Sequence, residues 1–223
     1  MGSPYIYLES QTIWASIFLV LLIICRQSRR LIFRSALAAI PLALTQGVYK
    51  GVWEPLRIGS LPVGIEDFLF CFLMGGISIA LVKCLINNKD YSNSKKINWT
   101  RFLVIAPAGL ALLTGLYLAG IRSYLNNYIS MAIMVILIFS IKRDMWKIFI
   151  IGSLSVSIIY TLALQPGFII WPDLLDLWVK ERLSGYTIGS APIEEVIWSF
   201  LFGGTWPLIF FFILDHTDEK RKL

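Results

Sequence analysis

Seven stretches of the chain are apolar enough to be read as helices crossing a bilayer: 13–25, 35–48, 65–86, 102–121, 128–141, 148–164 and 193–214. A spanning helix takes about 20 mostly apolar residues, so the second and fifth need their flanking residues to complete a crossing. Seven helices leave little of a 223-residue chain for a separate soluble domain. The first stretch follows a polar start and lacks a small-residue cleavage pattern behind a basic segment, so it is expected to stay in the protein as a helix. The pattern predicts an all-α polytopic membrane protein.

Composition agrees: 57% of residues are hydrophobic and 15% charged, and mean hydropathy is +0.72, where soluble domains carry about 25% charge. Disordered, collagen-like, coiled-coil and disulfide-dense secreted classes are excluded on the same ground. The net charge of +6 is mostly an orientation signal. With the N-terminus outside, the inner side receives 15 of the 20 basic residues, in four groups: Arg26, Arg29, Arg30 and Arg34; Lys83, Lys89, Lys95, Lys96 and Arg101; Lys142, Arg143 and Lys147; Lys220, Arg221 and Lys222. Lys50, Arg57, Arg122, Lys180 and Arg182 fall outside. The positive-inside rule therefore predicts an integral protein of the cell membrane with an external N-terminus and a cytoplasmic C-terminus. No nucleic-acid partner is expected, and a homo-oligomer is compatible with the sequence.

The chain repeats itself. Arg29-Arg30-Leu-Ile-Phe33-Arg34 after the first helix matches Lys142-Arg143-Asp-Met-Trp146-Lys147 after the fifth. The third helix opens Ile58-Gly59-Ser60-Leu-Pro62-Val-Gly64-Ile65-Glu66-Asp67 and reaches Gly75-Gly76; the seventh opens Ile188-Gly189-Ser190-Ala-Pro192-Ile193-Glu194-Glu195 and reaches Gly203-Gly204. A duplication follows, with helices one to three (residues 1–100) equivalent to five to seven (126–223) and the fourth (101–125) as linker. Parallel repeats of this kind place a shared site between the halves.

Ionisable residues at a membrane helix are costly and mark function. Glu66-Asp67 and Glu194-Glu195 sit in equivalent first turns, where carboxylates also suit the helix dipole. Adjacent helical residues diverge by about 100°, so one acid of each pair points inward; Glu66 and Glu194 are expected to be the inward members. A carboxyl group desolvated among apolar side chains serves as a general acid, and a second carboxylate stabilises positive charge.

Trp53, Trp171, Trp178, Trp198 and Trp206 lie in the outer loops or the last helix. Aromatic faces stabilise cations, although Trp also forms interfacial belts in any membrane protein. Trp53, Phe70, Trp178 and Trp198 are the expected substrate contacts. Cys25, Cys71 and Cys84 lack metal-site spacing and read as small buried hydrophobes; His216 has no companions. No metal and no cofactor are expected.

At the acidic pairs the sequence resembles the heterodimeric or fused lycopene cyclases, integral-membrane carotenoid cyclases with two three-helix halves, each opening its last helix with Pro-x-Glu-Glu/Asp. Pro192-Ile193-Glu194-Glu195 matches that signature fully, while Gly64-Ile65-Glu66-Asp67 carries Gly where Pro is usual. The resemblance implies proton-initiated cyclisation of a linear isoprenoid end group, without net redox change. Lycopene β-cyclisation is the leading expectation, with Glu66, Asp67, Glu194 and Glu195 as the catalytic set and a carotenoid and the bilayer as partners. Alternatives are a cyclase of another polyprenyl chain, a small three-plus-one-plus-three transporter, and a non-catalytic scaffold. A retinal protein lacks its helix-seven Lys here, and a Glu-Glu-x-x-x-Arg protease would need Arg at position 198, which is Trp.

Overall fold

The structure, a computed structural model, describes residues 5–49, 51–55, 57–58, 63–86, 97–121 and 123–214. His216, the basic residues 220–222, Lys89, Lys95, Lys96 and the segment 59–62 of the first repeat lie outside the described residues. Helices α1 (Ile6–Ile24), α2 (Arg29–Ala39), α3 (Ile65–Leu85), α4 (Trp99–Leu118), α5 (Ser123–Ile141), α6 (Trp146–Ile170) and α7 (Ile193–Ile213) make up most of it. Six helices are long and apolar enough to cross a membrane. The fold is all-α and polytopic.

The second expected span is the exception. Only its first five residues are α-helical, as the end of the 11-residue α2; the chain then runs on as a 3₁₀ stretch, Ile40–Tyr49. Pro41 has no N–H to give to an α-helical ladder, which favours the break. A 3₁₀ turn rises about 2.0 Å per residue against 1.5 Å in an α-helix, so the combined segment covers about 36 Å. Stretching lets a short apolar run reach the depth of a bilayer. Elsewhere helices exceed the expected limits: α1 begins at Ile6 and α6 continues through Pro166 to Ile170.

Each third helix packs on the first two of its own copy, α3 against α1 and α2, α7 against α5 and α6. Glycines set these crossings at matched places. A Cβ on Gly75 would collide with Ala39, and one on Gly203 with Val156 and the Gly152 carbonyl; Gly76 abuts Phe18 and Ala36, Gly204 abuts Phe149 and Ser153. Ala39 and Gly152 each stand five residues beyond the final basic residue of the repeated motif, and Ala36 and Phe149 two beyond. The halves meet where α3 touches α6 and α7. There Trp206 on α7 donates to Ser35 Oγ (2.8 Å), which donates to the Gly75 carbonyl (2.7 Å).

The linker α4 is nearly all exposed, with Ile105 its only buried residue, as suits a helix whose surroundings are lipid. Its start is capped by Asn98, whose Oδ1 accepts from Arg101 N (3.1 Å), and is fixed to the end of α7 by Asn98 N donating to the Ile213 carbonyl (2.8 Å).

At the ends of α1 and α3, Cys25 and Cys84 form a disulfide. This corrects their assignment as small buried hydrophobes: sequence spacing across 59 residues gives no hint that the two helix ends meet. Cys71 is the remaining thiol and is buried.

Candidate active site

α3 and α7 begin at the same end of the bundle, where the acid pairs, the chain after the 3₁₀ stretch and the loop after α6 converge. Val52 and Glu54 hydrogen-bond to Val179 and Leu177 (2.8 and 2.9 Å), which holds Trp53 against Trp178 with ring centroids 4.3 Å apart. A hairpin of β1 (Thr187–Ile188) and β2 (Ala191–Pro192) leads into α7. Gly189, at φ +62°, makes its tight turn.

The two acid pairs differ in their surroundings. Asp67 is fully buried and takes a 2.6 Å ion pair from Arg57 Nε, a bond from Gly64 N (2.8 Å) and one from Tyr7 OH (3.2 Å). Glu66 turns back over the start of α3 to accept from Ile58 N (2.7 Å), and its Oε2 is buried without a hydrogen-bond partner. In the second copy, Glu194 likewise folds back to accept from Ser184 N (2.6 Å).

Glu195 stands in a different environment. Oε1 accepts from Tyr124 OH and from Trp178 Nε1 (3.0 Å), and Oε2 accepts from Tyr160 OH (2.7 Å). Trp178 also donates to Tyr124 OH (3.0 Å). An indole N–H only donates, so the Tyr124 hydroxyl that receives it turns its own proton to Oε1. Oε1 thus faces two donors and Oε2 one. Among the described residues Glu195 has no ion-pair partner.

Glu195 opens into a cavity of about 60 Å³ lined by aromatic rings. Trp14 stacks on Tyr160 at 4.7 Å, and Trp198 lies 5.6 Å from Tyr160 and 5.7 Å from Phe70. All four expected substrate contacts, Trp53, Phe70, Trp178 and Trp198, line this cavity, and Trp171 does not. Trp171 instead bonds Glu9 (3.0 Å).

The expectation that Glu194 points inward is corrected: Glu195 is the acid of that pair on the cavity. In the first pair Glu66 and Asp67 are both buried, and Asp67 reaches the cavity wall through Tyr7. The first acid of each pair is captured by a backbone N–H ahead of its own helix. Sequence missed Tyr7, Trp14, Tyr124, Tyr160 and Arg57 as neighbours of the acids. The one signal in the sequence was Tyr160, a polar hydroxyl in the middle of an apolar run.

The lycopene cyclase family model matches residues 55–85 and 122–213, more than half of the chain. The chain belongs to the lycopene cyclase family. No curated protein and no solved structure gives a significant match. The matched segments hold both acid pairs together with Arg57, Tyr124, Tyr160 and Trp178, while Tyr7, Trp14 and Trp53 lie outside them.

Proposed function

We propose that the protein is a lycopene-type carotenoid cyclase in which Glu195 is the proton donor. The supporting observation is that Glu195 is a buried carboxyl group, held by three uncharged donors and open to an aromatic cavity. Burial without a counter-cation makes the charged form of a carboxyl group costly, which suits it to deliver a proton. By contrast, Asp67 is engaged by Arg57 and is a positioning group that holds Tyr7 in the cavity wall.

In the proposed reaction, Glu195 delivers its proton to the terminal carbon–carbon double bond of a linear isoprenoid. The electron pair of that double bond forms the new C–H bond and leaves a tertiary cation. The neighbouring double bond attacks the cation and closes a six-membered ring, moving the positive charge into the ring. Loss of a ring proton to the Glu195 carboxylate forms the cyclic double bond and restores the acid. Substrate and product are isomers. The faces of Trp14, Trp198 and Tyr160 stabilise the cation, and the hydrogen bonds of Tyr124, Trp178 and Tyr160 stabilise the carboxylate at the same moment. Glu66 and Glu194 fix the helix starts that aim their neighbours.

The placement of 15 of 20 basic residues supports an external site with the N-terminus outside. Chromatography of pigments from a lycopene-accumulating bacterial host is the test. The protein is expected to convert lycopene to a cyclic carotene and its Glu195→Gln variant to leave lycopene unchanged; unaltered lycopene with well-expressed wild-type protein would overturn the proposal.

A further inference from the structure

The cavity at Glu195, at about 60 Å³, is smaller than the roughly 150 Å³ that accommodates benzene in an apolar protein interior, so only the terminal double bond reaches into it and the ring closes where it meets its neighbour. It has no space for the remainder of a long isoprenoid. A second cavity of about 640 Å³ adjoins it, and Trp198 and Gln46 line both. α7 forms its floor: Trp198, Phe202, Thr205, Ile209 and Ile213 follow one helix face over about 22 Å of rise. One wall is α2 with its 3₁₀ extension and the other is α4. Ala38 and Pro41 on the first wall and Ala106 and Leu110 on the second are exposed, so the cleft opens sideways, where lipid would lie.

We infer that this cleft holds the unreacted polyene chain of the substrate, which enters laterally between α2 and α4 and presents its end group to Glu195 past Trp198. The inference rests on the cyclase reading for the identity of the chain. Of three observations, the first two fit a long apolar chain that reaches the acid site, and the third favours a polyene over the saturated acyl chain of a lipid. The cleft is continuous with the acid site through a shared aromatic wall. Its lining is apolar over most of the membrane depth. Two buried donors on it, Asn127 Nδ2 and Thr205 Oγ1, have no hydrogen-bond partner, and a conjugated π face accepts weak N–H and O–H contacts that a saturated chain cannot.

Gly109 offers a clean obstruction. It lines the cleft, and a Cβ there meets only the flexible end of Met134 at 3.9 Å, so the side chain of Gly109→Phe starts from open space in the cleft. Leu103→Phe, on the exposed side of the same helix and outside the cleft, controls for folding. The experiment purifies the Glu195→Gln protein from lycopene-accumulating cells and measures visible absorbance per chain, alone and combined with each second substitution.

Retained lycopene is expected in Glu195→Gln and in the Leu103→Phe double variant, with about a tenfold loss in the Gly109→Phe double variant. Equal retention with Gly109→Phe, or protein carrying only lipid acyl chains, would overturn the assignment. Wild-type turnover separates the two proposals. Cyclic carotene from both wild type and Gly109→Phe, at equal rate, removes the cleft and leaves the cyclase. Lycopene retained and then displaced by Gly109→Phe, with no cyclic product from wild type, keeps the cleft and removes the cyclase.

Discussion

One backbone N–H accounts for much of the difference between the two acid pairs. Gly64 donates to Asp67 Oδ2 at 2.8 Å, drawing that carboxylate onto the helix start. At the equivalent place Pro192 has no N–H to offer, and Glu195 reaches Tyr124, Tyr160 and Trp178 instead. A Cβ at position 64 would also meet the carboxylate of Glu66, which would have to leave its bond to Ile58 N. Gly64→Pro is therefore expected to destabilise the protein, read as a lower melting temperature in detergent, even though it restores the family signature. Arg57 carries the complementary test. Removing one partner of a buried ion pair costs about 3–5 kcal/mol, so Arg57→Met should lower stability by that order and a second change, Asp67→Asn, should recover part of it in thermal melts. Glu195→Gln should behave oppositely, leaving melting nearly unchanged while cyclisation falls by about 10²-fold or more.

Among the elements, the repeated glycine pairs decide how closely the helices approach. Gly203 and Gly152 sit against each other's backbone carbonyls, leaving no flexible side chain to yield to an added group. Gly203→Leu is expected to part α6 from α7, displacing Tyr160 from Glu195. Folded yield after detergent extraction should collapse, whereas Gly115→Leu on α4, where an added Cβ meets nothing within 4 Å, should be neutral. The basic motifs and the Gly-Gly pairs made this repeat legible, because both are local in sequence and identical in spacing. The 3₁₀ character of Ile40–Tyr49 was not: apolar composition records that a segment can be buried, while the rise per residue depends on the distance the chain must cover.

For the whole molecule, the two similar acidic signatures end in unequal surroundings, because the connections leading to them differ. The loop after α6 brings Trp178 onto Glu195, and the chain ahead of α3 brings Arg57 onto Asp67. Of the four acids, Glu195 is the one that lines either of the two cavities described above. The Cys25–Cys84 disulfide ties α1 to α3 at the opposite end, and Cys84→Ser is expected to lower the melting temperature of the purified protein while leaving the acid site in place. Orientation belongs to this scale too: a fluorescent protein fused after Leu223 should be fluorescent in intact bacteria, which requires a cytoplasmic C-terminus.

Hydrophobic runs, loop charge and the twin acidic signatures determined the all-α membrane class, the repeat and the four carboxylates, since each is written in local composition and spacing. Tertiary structure decided which acid faces the cavity, through donors such as Tyr124 and Trp178 that are 71 and 17 residues away from Glu195 in the chain. Helical geometry divides Glu194 from Glu195 by about 100° and leaves open which direction is inward. The choice is made by the hydrogen-bond donors that the rest of the fold brings to each side, and buried carboxyl groups go where their oxygens are satisfied.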